Sequence, residues 1–178
     1  MTPLAPRTPS PSIDARAFAD LTFEVMVRGD VDDFRRVFHP DAVNREAIAE
    51  PPAARQPGPD GFHATALWLR GMFADLAFET HEVAVGGELI VVYTTMSGRH
   101  TGDAVMYAPD ATVAQVFPAT GRMFATTQTH WYRLSGGTVI EHWANRDDQG
   151  TAMQLGWAPP PPWYLLRMHL ATRRVRRS

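Results

Sequence analysis

Upstream of Ala77 the apolar residues recur at three- and four-residue spacing, and downstream they alternate with polar ones. Two Gly-Gly pairs, Gly86-Gly87 and Gly136-Gly137, fall between alternating runs, which is the signature of hairpins. Helices first and an antiparallel meander afterwards predict an α+β domain, with N-terminal helices packed on one face of a curved antiparallel sheet. At 178 residues and 44% hydrophobic, the chain can bury one core and little more.

Helical spacing begins at Ile13, with Phe18, Leu21, Val25 and Met26 on one face, and stops at Arg28-Gly29-Asp30. A short helix follows with Val31, Phe34, Val37 and Phe38 apolar. Residues 40–44 read as a brief extended piece, and Glu50–Gly61, with Pro51, Pro52, Pro57 and Pro59, as a surface loop. A third helix is predicted over Gly61–Phe73, then strands over Ala77–Val85, Leu89–Arg99, Arg122–Leu134 and Thr138–Arg146. The stretch from Gly102 to Pro118 is irregular, and 150–156 can form a turn of helix. Three parts are expected: a disordered Pro-rich leader over 1–12, the α+β domain over 13–158, and a Pro-rich spacer with a basic segment over 159–178. The last reads as a solvated tail or as a helix packed on a neighbouring subunit.

Composition narrows the function. With no cysteine, disulfides, thiolate nucleophiles and Cys-based metal sites are excluded. A formal charge of −2 gives no reason to expect nucleic acid or an anionic membrane. The seven histidines lack metal-ligand spacing, and no phosphate-binding glycine loop, GxSxG, HExxH or GxGxxG occurs. No run reaches the roughly 18 apolar residues of a membrane span, and no signal peptide is visible, so a cytoplasmic protein is expected.

The last hairpin is the informative region. A two-residue turn at Gly136-Gly137 sets Leu134 against Val139, His130 against Trp143, Gln128 against Asn145 and Thr126 against Asp147. Alternation then projects Thr126, Gln128, His130, Trp143, Asn145 and Asp147 from one face. Thr127, Thr129, Trp131, His142 and Arg146 fall on the other. With Phe124, the first set lines a cavity of apolar walls and a few placed polar groups, or else forms a solvated or self-satisfied face. Trp68 suits either pocket wall or core, and His100 either pocket or turn. Asp147 is a candidate acid/base and equally an N-cap for the turn after it, about 13 Å along the sheet from His130.

Several stretches resemble the SnoaL-like polyketide cyclase family, a branch of the nuclear-transport-factor-like superfamily. They are His39–Asn44, Gly98–Gly102, Pro118–Arg122, the run Gln128–Arg133, Glu141–Trp143, and Asp147–Gly150 with Gln154–Gly156. The resemblance spans about Ile13 to Gly156. It implies a cone-shaped sheet around a hydrophobic pocket and no organic cofactor or metal. It also implies ring closure of an aromatic polyketide ester by intramolecular aldol addition. By position, the family's pocket asparagine falls on Asn44 and its pocket histidine on His130, whereas its acid/base aspartate falls on Ala144. Asp147 with His130 is therefore the expected catalytic pair, and Asn44, Gln128, Trp143, His100, Trp68 and Phe124 are the expected substrate contacts. The alternatives are a hydroxylase-type tailoring protein that has dispensed with the aspartate, and a non-catalytic binding protein. A homodimer or homotetramer is expected, because Trp131 and its neighbours give the sheet an apolar outer face.

Overall fold

A computed structural model describes residues 14–177; the leader expected over 1–12 lies outside the described residues. Helix α1 (Ala15–Arg28) starts where Asp14 accepts hydrogen bonds from the N–H groups of Arg16 and Ala17, and α2 (Val31–Val37) starts at a capping box of Asp30 and Asp33. Strand β1 (Phe38–Asn44) follows directly. Two 3-10 turns, Ala47–Ala49 and Pro52–Arg55, then lead to α3 (Pro59–Met72). Gly58 opens α3 at φ 83°, and a Cβ there would lie 2.3 Å from the Pro40 carbonyl oxygen, so the loop closes onto β1 only with glycine.

The main sheet has the order β1-β7-β6-β3-β2, built from β2 (Phe73–Gly86), β3 (Leu89–His100), β6 (Met123–Ser135) and β7 (Thr138–Arg146). These four strands form the expected antiparallel meander. The sheet is nevertheless mixed, because β1 adds to its edge parallel to β7. Such pairing joins residues about a hundred positions apart and leaves no local signal. The region after Gly102 holds a separate two-stranded sheet of β4 (Ala104–Tyr107) and β5 (Val113–Phe117). The main sheet curves and stays open. Helices α1, α2 and α3 close its concave side around Ala19, Phe23, Phe34, Phe38, Phe62, Ile90, Val92, Tyr132 and Leu134. A second apolar cluster, Phe73, Leu76, Met96, Phe124 and Leu155, fills the other end.

The C-terminal segment is no solvated tail. After α4 (Asp148–Leu155), α5 (Pro162–Val175) packs on the chain's own β5. The Tyr164 hydroxyl donates to the Pro118 carbonyl at 2.7 Å, the Val116 N–H donates to Thr172 at 2.9 Å, and Arg176 reaches the carbonyls of Val113 and Ala114. Among the described residues no helix is long and apolar enough to cross a membrane.

One irregularity decides which side chains face the cavity. The β6–β7 pairing opens as predicted, Ser135 with Thr138 and Leu134 with Val139, but the next pair is Arg133 with Glu141. Ile140 is the extra residue of a β-bulge, and every pair beyond it is displaced by one. Val139 and His142, three apart, are therefore both buried. His130 pairs with Ala144, Trp131 with Trp143, and Gln128 with Arg146. The two-residue alternation thus placed β7 on the wrong faces: His142, Ala144 and Arg146 join His130 on the concave side, while Trp143 and Asn145 turn outward.

Candidate active site

The concave face of the sheet and helices α1 and α3 enclose a cavity with a volume of about 70 Å³. Its walls are mostly apolar, with Phe23, Met26, Phe62, Trp68, Phe78 and Met96 among them. Pockets that bury a drug-sized ligand hold about 300–1,000 Å³, so a ligand of that size enters only with movement of wall side chains. The flexible Met26 and Met96 and the leucine of α3, Leu69, are the ones that can yield.

A string of polar side chains crosses this apolar space. Asn44 Oδ1 lies 3.0 Å from His142 Nδ1, His142 Nε2 lies 2.9 Å from His130 Nδ1, and His130 Nε2 lies 2.8 Å from Gln128 Oε1. Each member is set by backbone structure. Asn44 ends β1, where its Oδ1 also accepts the N–H of Glu46. Gln128 and His130 alternate inward on β6, and the bulge delivers His142 to the same face. Phe23 meets the His130 ring edge-on at 5.3 Å, and Tyr132 stacks on His142 at 5.0 Å.

The protons on this string can be counted. Asn44 Oδ1 already receives one N–H and requires a second from His142 Nδ1; Gln128 Oε1 requires one from His130 Nε2. Two neutral imidazoles have then spent both ring protons, and their central nitrogens would face each other with lone pairs. The 2.9 Å contact is attractive only if the pair holds a third proton or one terminal amide turns over. Burial opposes the third proton, pushing His130 down to about 3 and His142 well below the ordinary imidazole value. Gln128 is the amide free to turn, since its other end meets only the Met96 thioether at 3.2 Å. In the neutral state Gln128 therefore donates to His130 Nε2, His130 donates to His142, and His142 donates to Asn44. Protonating the pair and turning Gln128 are one event.

Three charged side chains that the hairpin reading missed stand at the same cavity. Glu46 accepts the backbone N–H of Ala144 at 3.0 Å and faces Arg146 at 3.7 Å. Arg146 also pairs with Asp148 at 3.3 Å. Glu50 is 3% exposed and accepts the Thr65 hydroxyl at 2.5 Å. Burial raises its proton affinity above the usual carboxylate range, with the Thr65 hydrogen bond and Arg146 opposing. Glu46, Glu50 and His142 carried little sequence signal: the first two lie in a Pro-rich connection, and the third was hidden by the bulge.

The remaining expected site residues divide plainly. Asn44, Gln128, His130 and Trp68 line the cavity, and the Trp68 Nε1–H donates to the Val105 carbonyl at 3.0 Å. Trp143 does not: it stacks on Trp131 on the outer face at 5.9 Å with Arg133 above it, because of the bulge. His100 and Phe124 belong to the second apolar end, where both pack on Phe73 and the His100 ring meets Trp157 edge-on. Burial lowers the His100 pKa. Asp147 is exposed and caps α4, accepting the Gly150 N–H at 2.7 Å, so the expected catalytic aspartate is outside the cavity lining. Among the described residues no group of three or more His, Cys, Asp or Glu is placed to hold a metal ion.

Comparison with known proteins agrees with this fold. The SnoaL-like polyketide cyclase profile matches residues 15–155. The chain is 32% identical over 138 residues to the aklanonic acid methyl ester cyclase DnrD of Streptomyces peucetius, covering 76% of this chain and 87% of that one. It is 30% identical over 141 residues to the aklanonic acid methyl ester cyclase DauD of Streptomyces sp. strain C5, covering 76% and 78%. The structure of TsrD from Streptomyces laurentii superposes with a TM-score of 0.64 at 21% identity, over 79% of this chain and 93% of that one.

Proposed function

The chain belongs to the SnoaL-like polyketide cyclase family, and from that premise we propose that it closes a ring in an aromatic polyketide ester by acid–base chemistry without a cofactor. The observation that supports this reading most directly is the Asn44–His142–His130–Gln128 string, a continuous proton-bearing path inside an apolar cavity. Buried polar groups are costly, and a string of four inside an otherwise apolar space is the pattern of a site built to handle a polar reacting group.

In the proposed reaction a proton leaves the carbon next to a carbonyl, and the electron pair moves into that carbonyl as an enolate. The enolate carbon then adds to a ketone of the same molecule, and the new alkoxide takes up a proton. Nothing is gained or lost in mass. In the neutral string the His130 proton is spent on His142, which leaves the amide N–H groups of Gln128 and Asn44 to hydrogen-bond the developing oxyanion. The protein is proposed to act in the cytoplasm on a hydrophobic small molecule. It is also proposed to assemble as a homodimer or homotetramer through the outer face that carries Trp131 and Trp143.

The test is incubation of the purified protein, with no added cofactor, with aklanonic acid methyl ester and related aromatic polyketide esters, followed by accurate-mass chromatography. A product of unchanged mass is expected. A product heavier by one oxygen would replace ring closure with hydroxylation. Substrates that raise the melting temperature yet return unchanged would leave a binding protein.

A further inference from the structure

Glu50 is a buried carboxyl group that the fold does little to support. Its carboxyl lies in the cavity wall at 3% exposure, and its hydrogen-bond donor there is a neutral hydroxyl, Thr65. The cations nearby are engaged elsewhere: Arg55 binds the Glu50 backbone carbonyl together with those of Ala108 and Pro109, and Arg146 pairs with Glu46 and Asp148. Among the described residues no ion pair reaches the Glu50 carboxylate. A glutamine of the same shape would accept the Thr65 hydroxyl equally well and spare the fold a buried acid. The carboxyl group therefore serves something other than packing.

The position suits proton transfer. Glu50 shares the cavity with His130, His142, Asn44 and Gln128, and it follows the Ala47–Ala49 turn, which packs against β4 and the Pro52–Arg55 turn. The histidine pair is kept neutral by burial and spends both of its ring protons within its own string, so neither ring is a free base. Of the other carboxyl groups, Glu46 is held by the Ala144 N–H and Arg146, and Asp147 faces solvent as a helix cap.

We propose that Glu50 is the carboxyl group that moves the proton in this cavity. The inference rests on the ring-closing reading above. As carboxylate, Glu50 takes the proton from the carbon beside the substrate carbonyl; the C–H electron pair becomes the enolate. The enolate carbon forms the new C–C bond at the ketone, whose π electrons pass to oxygen. Glu50, now protonated, returns the proton to that alkoxide and ends as carboxylate, so no oxidant or further reactant enters. Burial pulls its pKa upward, which strengthens it as the base that takes the proton.

The experiment compares the full-length protein with Glu50→Gln and Glu50→Asp on aklanonic acid methyl ester, and follows deuterium uptake at the acidic carbon of the ester in D₂O. Turnover in Glu50→Gln is expected to fall about 10²–10⁴-fold with KM changed little. Deuterium uptake falls with it, and Glu50→Asp keeps part of both, with the acidic limb of its pH profile moved. A Glu50→Gln protein that turns over within a few-fold of the parent overturns the inference and leaves the ring-closing reading standing. A parent protein inert towards every ester overturns both. If Glu50→Gln fails to fold, Glu50→Asp decides: an unmoved acidic limb refutes the proton-transfer role.

Discussion

His142 Nε2 lies 2.9 Å from His130 Nδ1, although simple alternation through the Gly136-Gly137 hairpin would set the two rings on opposite faces of the sheet. The single extra residue Ile140 brings them together. If they form one proton-sharing unit, their substitutions are not independent. In urea unfolding, His130→Gln and His142→Gln are each expected to destabilise, and the double variant to differ from their sum by about 0.5–3 kcal/mol. Additivity within about 0.3 kcal/mol would mean that the rings merely touch.

The same pair predicts how stability depends on pH. Both imidazoles have folded pKa values below the ordinary 6.5, His130 down to about 3, because burial disfavours the charged ring. The unfolded chain therefore binds more protons than the folded one between those values. The stabilising contribution is complete above about pH 6.5 and is lost as the pH falls towards 3. Melting temperatures should drop steadily across that window, and the drop should be shallower in His130→Gln. An unchanged slope in the variant would show that the loss originates elsewhere.

Glu50 has the opposite sign. Its folded pKa is raised, so its favourable contribution is present below the unfolded carboxylate value and disappears as pH rises through the folded one. Glu50→Gln should accordingly melt higher than the parent at pH 8, with the difference vanishing towards pH 4. Differential scanning calorimetry at the two pH values reads this directly. A variant that melts lower at pH 8 would mark Glu50 as a structural residue.

Trp143 is expected to matter for assembly and not for the cavity. Trp143→Ser removes the stack on Trp131 from the outer face, 5.9 Å between ring centres, and leaves every cavity-lining side chain in place. Light scattering after size-exclusion chromatography should show a smaller species or a weaker association, with ligand-induced melting shifts retained. A variant that keeps its assembly but loses those shifts would return Trp143 to the binding site.

The helix α5 makes a further prediction. Tyr164→Phe removes the bond from the hydroxyl to the Pro118 carbonyl and leaves that carbonyl buried, which should cost about 1–3 kcal/mol. Chemical denaturation would measure it. A change below about 0.3 kcal/mol would mean that α5 is not part of the cooperative fold.

What the sequence determined by itself was everything that local chemistry controls. The helical spacing before Ala77, the two Gly-Gly turns and the alternation of β6 were enough for the first three helices, the antiparallel meander and the inward aim of Gln128 and His130, while stretches such as Gln128–Arg133 and Glu141–Trp143 carried the family resemblance. The tertiary structure alone decided the rest, because each part depends on contacts between distant segments. The parallel pairing of β1 carries Asn44 to His142, a partner 98 positions away. The bulge at Ile140 exchanges His142 for Trp143 on the concave face, since a period of two makes one inserted residue reverse every side chain beyond it. The closure of the loop at Gly58 onto Pro40 accompanies the burial of Glu50, a residue that any local reading leaves on a solvated loop. Which carboxyl group stands buried in the cavity wall is thus a property of packing, and no spacing in the chain encodes it.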